Sequence, residues 1–324
     1  MSGTPSSSRD LRSLAGVAGA SLFAVALCGL CLGFLGAFHW FLDLFAHFRI
    51  QYAVALVLAT ILALFGRRVP VAIIAGALAL LLIADLSSYY FGGRQANENG
   101  HALKTVSFNV NTANLNREEA LKQIRTENAD FVFLMEVNAD WIGALKPLET
   151  LYPHRIYKPS PGNFGLAFFS KWPIEESELL LLSDFGIPTL LARMRIDEHR
   201  LTLIGTHPQP PIGGARSADR NRQLKRLSDY VKDSRDAPLL VVGDFNATPW
   251  SYVMKDFVDE TGLQYAFQGR GISPTWLRRF PMFAIPIDHM LGNDEIVFHD
   301  SWVGENLGSD HSLIGAEFTI RQDT

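Results

Sequence analysis

Cysteine is almost missing from this chain: Cys28 and Cys31 are the two in 324 residues, and residues 101–324 have none. A disulfide framework and a cysteine-rich metal site are thereby excluded for the larger part of the chain. Cys28 and Cys31 have the spacing of a metal or redox pair, but they sit in an apolar run without a charged neighbour and read as packing residues. An excess of positive charge is lacking too. The net charge is −4, and residues 1–100 hold six arginines against four acids, so residues 101–324 carry −6. That sign is a poor start for gripping nucleic acid, whose phosphates favour a basic face, and nucleic acid is the less favoured partner. No Gly-x-Ser-x-Gly elbow presents a serine nucleophile, and no Walker loop cradles a nucleotide.

Charge of either sign vanishes from Ser13 to Leu42. About 20 apolar residues cross a bilayer as a helix. Further apolar runs extend from Ile50 to Gly66 and from Val69 to Ala84, with Pro70 acceptable in a first helical turn. The expectation is a membrane anchor over residues 1–91 with about three transmembrane helices (13–42, 50–66 and 69–90), a polar linker over 92–102 and a water-soluble domain over 103–324. A cleaved signal peptide and a re-entrant hairpin are the alternatives, but the first run exceeds the apolar core of a signal peptide and more apolar segments follow. Arg9 and Arg12 precede the first run, and Arg67 and Arg68 separate the second from the third. With three spans both groups fall on one side, which the positive-inside rule makes cytoplasmic, so the soluble domain is expected outside.

The soluble part is organised around Leu239-Leu240-Val241-Val242-Gly243-Asp244-Phe245-Asn246, a buried strand ended by glycine with an acid and an amide two residues apart. Thr105–Asn111 alternates as a strand and ends in amides at Asn109 and Asn111. Phe131–Met135 is a second buried strand that ends at Glu136. Strands are also expected over 166–170, 190–196, 201–206, 285–291 and 313–320, the 201–206 strand delivering His207 to a proline-stiffened loop. Helices are expected after a cap at Asn116, over 217–234 and over 252–261; Arg216, Arg220, Arg222, Lys225 and Arg226 read as a solvated face. Many strands with few, separated helices indicate an α+β arrangement of antiparallel or mixed sheets.

Asn109, Glu136, Asp244, Asn246, Asp288 and Asp310 are hard oxygen donors at or beside strand ends, joined by His207 and His311. Such donors suit Mg²⁺ or Mn²⁺, whereas zinc would recruit more histidine or cysteine. Five ordered motifs, Ser-Phe-Asn-Val-Asn, Leu-Met-Glu-Val-Asn, Gly-Asp-Phe-Asn, Ile-Asp-His and Ser-Asp-His, resemble the endonuclease/exonuclease/phosphatase superfamily over about residues 103–320. The resemblance implies a deoxyribonuclease-like, four-layer αββα fold: a two-sheet β-sandwich flanked by helices with the site at one edge. It implies Glu136 as principal metal ligand with Asn109 and Asp310 nearby, and Asp244 with Asn246 aligning the water and the scissile phosphate. His311 would be the catalytic histidine, Asp288 its orienting partner, and His207 a second histidine that bonds phosphate or aids the leaving group. Asn111 departs from the aspartate often found there, which removes one charge from a second metal position.

The anchor and the His-Pro-Gln-Pro-Pro loop are similar to bacterial membrane proteins of the VanJ-like teicoplanin-resistance branch, which implies a multi-pass protein of the bacterial cytoplasmic membrane and a lipid-linked (polyprenyl) pyrophosphate as substrate. Pro274–Pro286, apolar and aromatic with Arg278 and Arg279, reads equally as a lipid-interface segment and as a core-packing hairpin. The substrate-binding candidates are Asn111, Arg278 and Arg279. The alternatives are an extracytoplasmic endonuclease or phosphodiesterase and, in another class, a non-catalytic membrane binding or sensory protein. No residue pattern points to a protein partner.

Overall fold

The computed structural model describes residues 6–92, 101–234 and 237–321, and the chain divides into two compact units, Met1–Tyr90 and Phe91–Thr324. The expected linker falls largely outside the described residues.

The first unit holds four helices: α1 (Ser6–Phe34), α2 (Trp40–Ala46), α3 (Arg49–Phe65) and α4 (Val69–Ser87). Small residues let them approach closely. A methyl group on Gly19 would meet the Ala63 backbone at 2.8 Å, and Ala53, Ala59, Ala63, Ala72, Ala75 and Ala79 are buried between helices. The long side chains Phe34, Leu80 and Leu81 point outward instead. Arg9–Phe34 and Val69–Tyr90 are long and apolar enough to cross a membrane, and α2 with α3 forms a pair bent by 59°. The first apolar run therefore departs from expectation: its helix ends at Phe34, and after a 3-10 turn at Gly36–Phe38 the residues from Trp40 start α2, with the His39 side chain accepting from the Phe41 N–H.

The second unit is a sandwich of two six-stranded sheets, as expected. One has the order β11 (Ile296–Val303), β12 (Ile314–Ile320), β1 (Leu103–Asn109), β2 (Phe131–Met135), β4 (Leu166–Ser170), β3 (His154–Lys158). The other runs β5 (Ile174–Leu180), β6 (Thr189–Ile196), β7 (His199–Thr206), β8 (Leu239–Asp244), β10 (Asp288–Gly292), β9 (Gln264–Tyr265). Alternate residues of the inner strands face the other sheet. Phe131, Phe133, Phe168, Leu203, Val242, Met290 and Phe318 fill that layer, at roughly 1.5–3 kcal/mol per large apolar side chain buried. The opposite face of the first sheet packs Val106 and Phe108 under α5 (Arg117–Glu127) and α6 (Ala139–Leu145). The opposite face of the second packs Val241 under α7 (Gly214–Asp233) and α8 (Tyr252–Thr261), giving four layers. Asn116 precedes α5 but its side chain makes no capping bond, contrary to expectation; its own N–H donates to Asn114 Oδ1.

Each sheet has a parallel pair at its centre, β1 with β2 and β7 with β8, and every neighbour of those pairs runs antiparallel. The C-terminal ends of four strands and the N-terminal ends of their antiparallel neighbours β10 and β12 thus meet at one end of the sandwich. That end carries the polar motifs.

Candidate active site

The polar groups arrive from strand ends at one edge of the sandwich, four where a strand finishes and two where one starts. Asn109 ends β1, Glu136 follows β2, His207 follows β7 and Asp244 ends β8, while Asp288 begins β10 and His311 precedes β12. Asp288 is the direct cross-strand partner of Asp244. Gly243 makes the close approach of β8 to β7 feasible: its φ is +148°, and a methyl group there would lie 1.9 Å from the Thr206 carbonyl oxygen. Asn111, Glu136 and Asn246 have left-handed φ values of 59°, 61° and 51°. Asparagine tolerates that region, but a glutamate there costs free energy that the surrounding structure must supply.

A cavity of about 430 Å³ opens at this end, lined by Glu136, Asn246, His207, Asp244, Asp310 and His311 among others. Asp244 is its electrostatic centre. Its Oδ2 lies 3.2 Å from Asn109 Nδ2, 3.4 Å from His207 Nε2 and 3.6 Å from His311 Nε2, and its Oδ1 accepts the Asn246 N–H at 2.9 Å. Burial alone would raise this carboxyl, but His311 and then His207 outweigh it and hold it down at about 2. His311 Nδ1 pairs with Asp288 Oδ2 at 2.9 Å. Burial opposes charge on the imidazole, yet Asp288 and Asp244 together lift its pKa to about 10; Nδ1 is committed to Asp288, while Nε2 faces Asp244 Oδ2 at 3.6 Å. Asp288 stays above the usual carboxylate range, chiefly through burial. It is held from behind by Thr275 Oγ1, which accepts the Asp288 N–H at 3.2 Å.

Glu136 is treated differently. It is 8% exposed to the cavity, Oε1 accepts from Asn109 Nδ2 at 3.0 Å, and Oε2 accepts from the Thr112 N–H at 3.2 Å. Both donors are neutral, and no cation pairs with it among the described residues. A carboxylate so placed, with Asp310 on the same cavity, is a hard-oxygen donor set that fits a divalent cation. A second candidate group is Asp244, Asp288 and His311, whose ligand atoms lie within 4.8 Å of one another. An ion there would displace the His311–Asp288 bond, so Glu136 is the better seat.

Asn109 is fully buried and bridges Glu136 and Asp244 with its amide N–H, while its Oδ1 accepts the Asn111 N–H at 3.1 Å; it lies behind the carboxylates rather than on the cavity. Asn111 Nδ2 donates to Asp310 Oδ1 at 2.6 Å, and Trp276 Nε1 to Asp310 Oδ2 at 3.1 Å. Arg279 lines a neighbouring cavity. Arg278 departs from its expected place: its guanidinium donates to Gly304 O and Ser312 Oγ and ties the 274–286 segment to the sandwich. The histidine of Ile-Asp-His is also internal, since His289 Nε2 bonds Ala247 O at 2.8 Å and burial lowers its pKa to about 4.

Part of α7 differs from the expected solvated face. Arg220 is not solvated but fully buried, donating to Asn246 O at 3.1 Å, so it supports the left-handed turn that presents Asn246. Arg216 lines the reaction cavity. Phe164 and Trp276 line it as well, and Phe164 packs on the His207 ring at 5.4 Å. The signal for Phe164 was topological: residues just before β4, antiparallel to β2, must emerge where Glu136 does.

Solved structures share this architecture. The chain superposes on an endonuclease/exonuclease/phosphatase from Beutenbergia cavernae with a TM-score of 0.57 and 19% identity, over 68% of this chain and 72% of that one. The human Nocturnin catalytic domain with bound sulfate gives 0.58 and 20%, over 68% and 95%. Sphingomyelinase C from Streptomyces griseocarneus gives 0.50 and 18%, over 67% and 99%. At these identities the likeness establishes the fold, and no curated protein sequence matches the chain. The family model described as Endonuclease/Exonuclease/phosphatase family matches residues 106–311, which span every motif from the end of β1 to His311. The chain belongs to that family, and is by that membership a metal-dependent phosphohydrolase.

Proposed function

We propose that this protein is a membrane-anchored phosphoesterase using Mg²⁺ or Mn²⁺, with its catalytic domain outside the bacterial cytoplasmic membrane and a lipid-linked, polyprenyl-type pyrophosphate as substrate. The observation that carries the chemistry is the meeting of the Asp288-bonded His311 with Asp244, 3.6 Å apart, on a cavity that also holds Glu136, which no cation pairs among the described residues. Hydrolysis adds one water across a P–O bond: the water oxygen joins phosphorus, and the leaving oxygen departs with the electron pair. Asp244, with a low pKa, accepts a hydrogen bond from that water and aims its lone pair, and Asn246 fixes the turn that holds both. His311, kept cationic by Asp288, sets positive charge where the nonbridging oxygens gain negative charge. His207 Nε2 is placed to donate to phosphate or to the leaving oxygen. A divalent cation at Glu136 and Asp310 would add Lewis-acid neutralisation of the same oxygens.

Location rests on the first unit. Outward Phe34, Leu80 and Leu81 need an apolar surrounding, and counting α1, α3 and α4 as spans puts Arg9 and Arg12 on the same side as Arg67 and Arg68. A reporter fused after Thr324 is then expected to read outside, and a cytoplasmic reading would exclude an outer-leaflet substrate. The activity is tested with purified full-length protein on polyprenyl pyrophosphate, phospholipid, single- and double-stranded DNA and inositol phosphates, with Mg²⁺ or Mn²⁺. Glu136→Ala and His311→Ala are each expected to lose on the order of 100-fold or more. Unchanged turnover in either variant would sink the assignment, and a preference for DNA would move it to the endonuclease alternative.

A further inference from the structure

The two histidines of the reaction cavity are held in different ways. His311 has a carboxylate behind it, with Asp288 at 2.9 Å from Nδ1. His207 has none: its Nε2 faces Asp244 at 3.4 Å, and its buried Nδ1 has no hydrogen-bond partner among the described residues. A partner on the second ring nitrogen is what ordinarily fixes an imidazole's tautomer and orientation. For His207 that task falls to packing by Phe164 and to the backbone on either side. Both flanks are tied. Thr206 Oγ1 accepts from Gln223 Nε2 at 3.4 Å and lies 3.2 Å from Thr189 Oγ1, which takes a second bond from Gln223 Nε2 at 3.2 Å. Pro208 O accepts from Asn246 Nδ2 at 3.0 Å, and Asn246 O in turn accepts from Arg220 Nη1 at 3.1 Å. Arg220 Nε, bonded to Asn221 Oδ1 at 3.0 Å, fixes the plane of the guanidinium.

Gln223 and Arg220 belong to one face of one helix. Further along α7 that face is apolar, with Leu224, Leu227 and Val231 buried against the second sheet. Steps of three and four residues put Arg220 and Gln223 on the same stripe, and both are at 0% exposure. A stripe built only to pack would carry leucine at these two places, because a buried guanidinium or carboxamide loses water that only well-placed partners replace. The bonds that replace it lead to the two flanks of His207.

We propose that Gln223 and Arg220 are positioning residues for His207, Gln223 acting through Thr206 and Arg220 through Asn246 and Pro208. This deepens the phosphohydrolase reading and rests on it for the role of His207. Neither residue lines the reaction cavity, so neither meets the substrate. Together they bracket the one cavity histidine that lacks a carboxylate of its own. The difference from His311 is chemical as well as geometric. A carboxylate on Nδ1 favours the imidazolium, whereas a bracket acting on the flanking residues fixes the place of the ring without adding that charge.

The experiment is a set of double-variant cycles on turnover of bis(4-nitrophenyl) phosphate by the full-length protein in detergent micelles with Mg²⁺ or Mn²⁺. Gln223→Met and Thr206→Val cut one bond from its two ends with little change of side-chain size. Each is expected to lower kcat roughly threefold to tenfold with KM held, and the two together no further. Arg220→Met should lose roughly tenfold or more, and Arg220→Lys should recover part of it, since an ammonium can still donate to Asn246 O. In a His207→Ala background Gln223→Met should cost less than about twofold, and Arg220→Met less than it costs alone, because the group they place is gone. Losses that multiply in full across His207→Ala would overturn the proposal, since a general weakening of the fold behaves that way, and so would an unchanged kcat in Gln223→Met and Arg220→Met. If Arg220→Met does not fold, Gln223→Met and Thr206→Val decide the matter. If the wild type hydrolyses no phosphoester, the phosphohydrolase reading itself has failed. The bracket is then read from the imidazole nitrogen resonances of His207, assigned by their absence in His207→Ala. They should move in Gln223→Met while those of His311 stay; His207 resonances that stay as well would overturn the bracket.

Discussion

The two sheets deliver a carboxylate each to one cavity, under opposite conditions. Glu136, from the first sheet, meets only the Asn109 amide and the Thr112 N–H; Asp244, from the second, lies between the imidazoles of His207 and His311. Both are nearly out of solvent, at 8% and 1% exposure. Their difference is in who neutralises them. Asp244 is compensated from within the chain, so it can hold water and phosphate without drawing in an ion. Glu136 is not, and a buried charge with neutral neighbours is where a cation from solution gains most. One residue type thus serves two jobs, and the environment assigns them.

The sharpest way to break that comparison is to neutralise each acid alone. Asp244→Asn is expected to lose on the order of 1000-fold in turnover, because both histidines lose their common acceptor and the water loses its guide. Added metal should not restore it. Glu136→Gln should lose a comparable amount at low metal and regain part of it as Mg²⁺ or Mn²⁺ is raised, because the defect is weaker ion binding. Metal titrations of turnover for the two variants make the test. Parallel curves would mean that the carboxylates share one role.

How far this was legible in the sequence depends on where a strand lies. The eight strands expected from apolar runs are the eight inner strands, and those not foreseen, β3, β5, β9 and β11, are the four sheet edges. The reason is physical. An inner strand is covered on both sides and reads as Phe-Val-Phe-Leu-Met, whereas the edges β3, β5 and β11 carry charge, as in Ile-Glu-Glu-Ser-Glu of β5, which discourages further strand pairing, and β9 is only the two residues Gln264-Tyr265. The polar motifs were legible because an Asp, Glu or His directly after a buried strand has no packing reason to be there. Arg220 was not, since on a helix with six basic residues periodicity alone cannot distinguish a guanidinium turned inward to Asn246 O from its solvated neighbours. Nor was the contrast between Arg278 and Arg279, adjacent in sequence, which depends on where Gly304 and Ser312 fall.

A smaller effect sharpens the second half of the comparison. Asp288 touches no part of the reaction cavity; it acts through His311, whose imidazole it and Asp244 lift to about 10. Asp288→Asn keeps an oxygen to accept from His311 Nδ1 but removes the charge, so the loss is expected at roughly tenfold to a hundredfold, the worth of a charge-assisted bond. The sign of the pH effect follows from the raised pKa. His311 remains a cation until pH approaches about 10 in the wild type, so the alkaline limb of the rate profile should move to lower pH in the variant. Stability should follow the same direction. A histidine raised on folding contributes stability fully below its unfolded pKa near 6.5 and loses it as pH climbs through the folded value, so the wild type should weaken between about pH 6.5 and 10 and the variant should do so earlier. A rate profile and a denaturant midpoint measured across that window decide it. An unmoved alkaline limb would mean that Asp244 alone holds the charge on His311, and that the second sheet compensates its own carboxylate without help from Asp288.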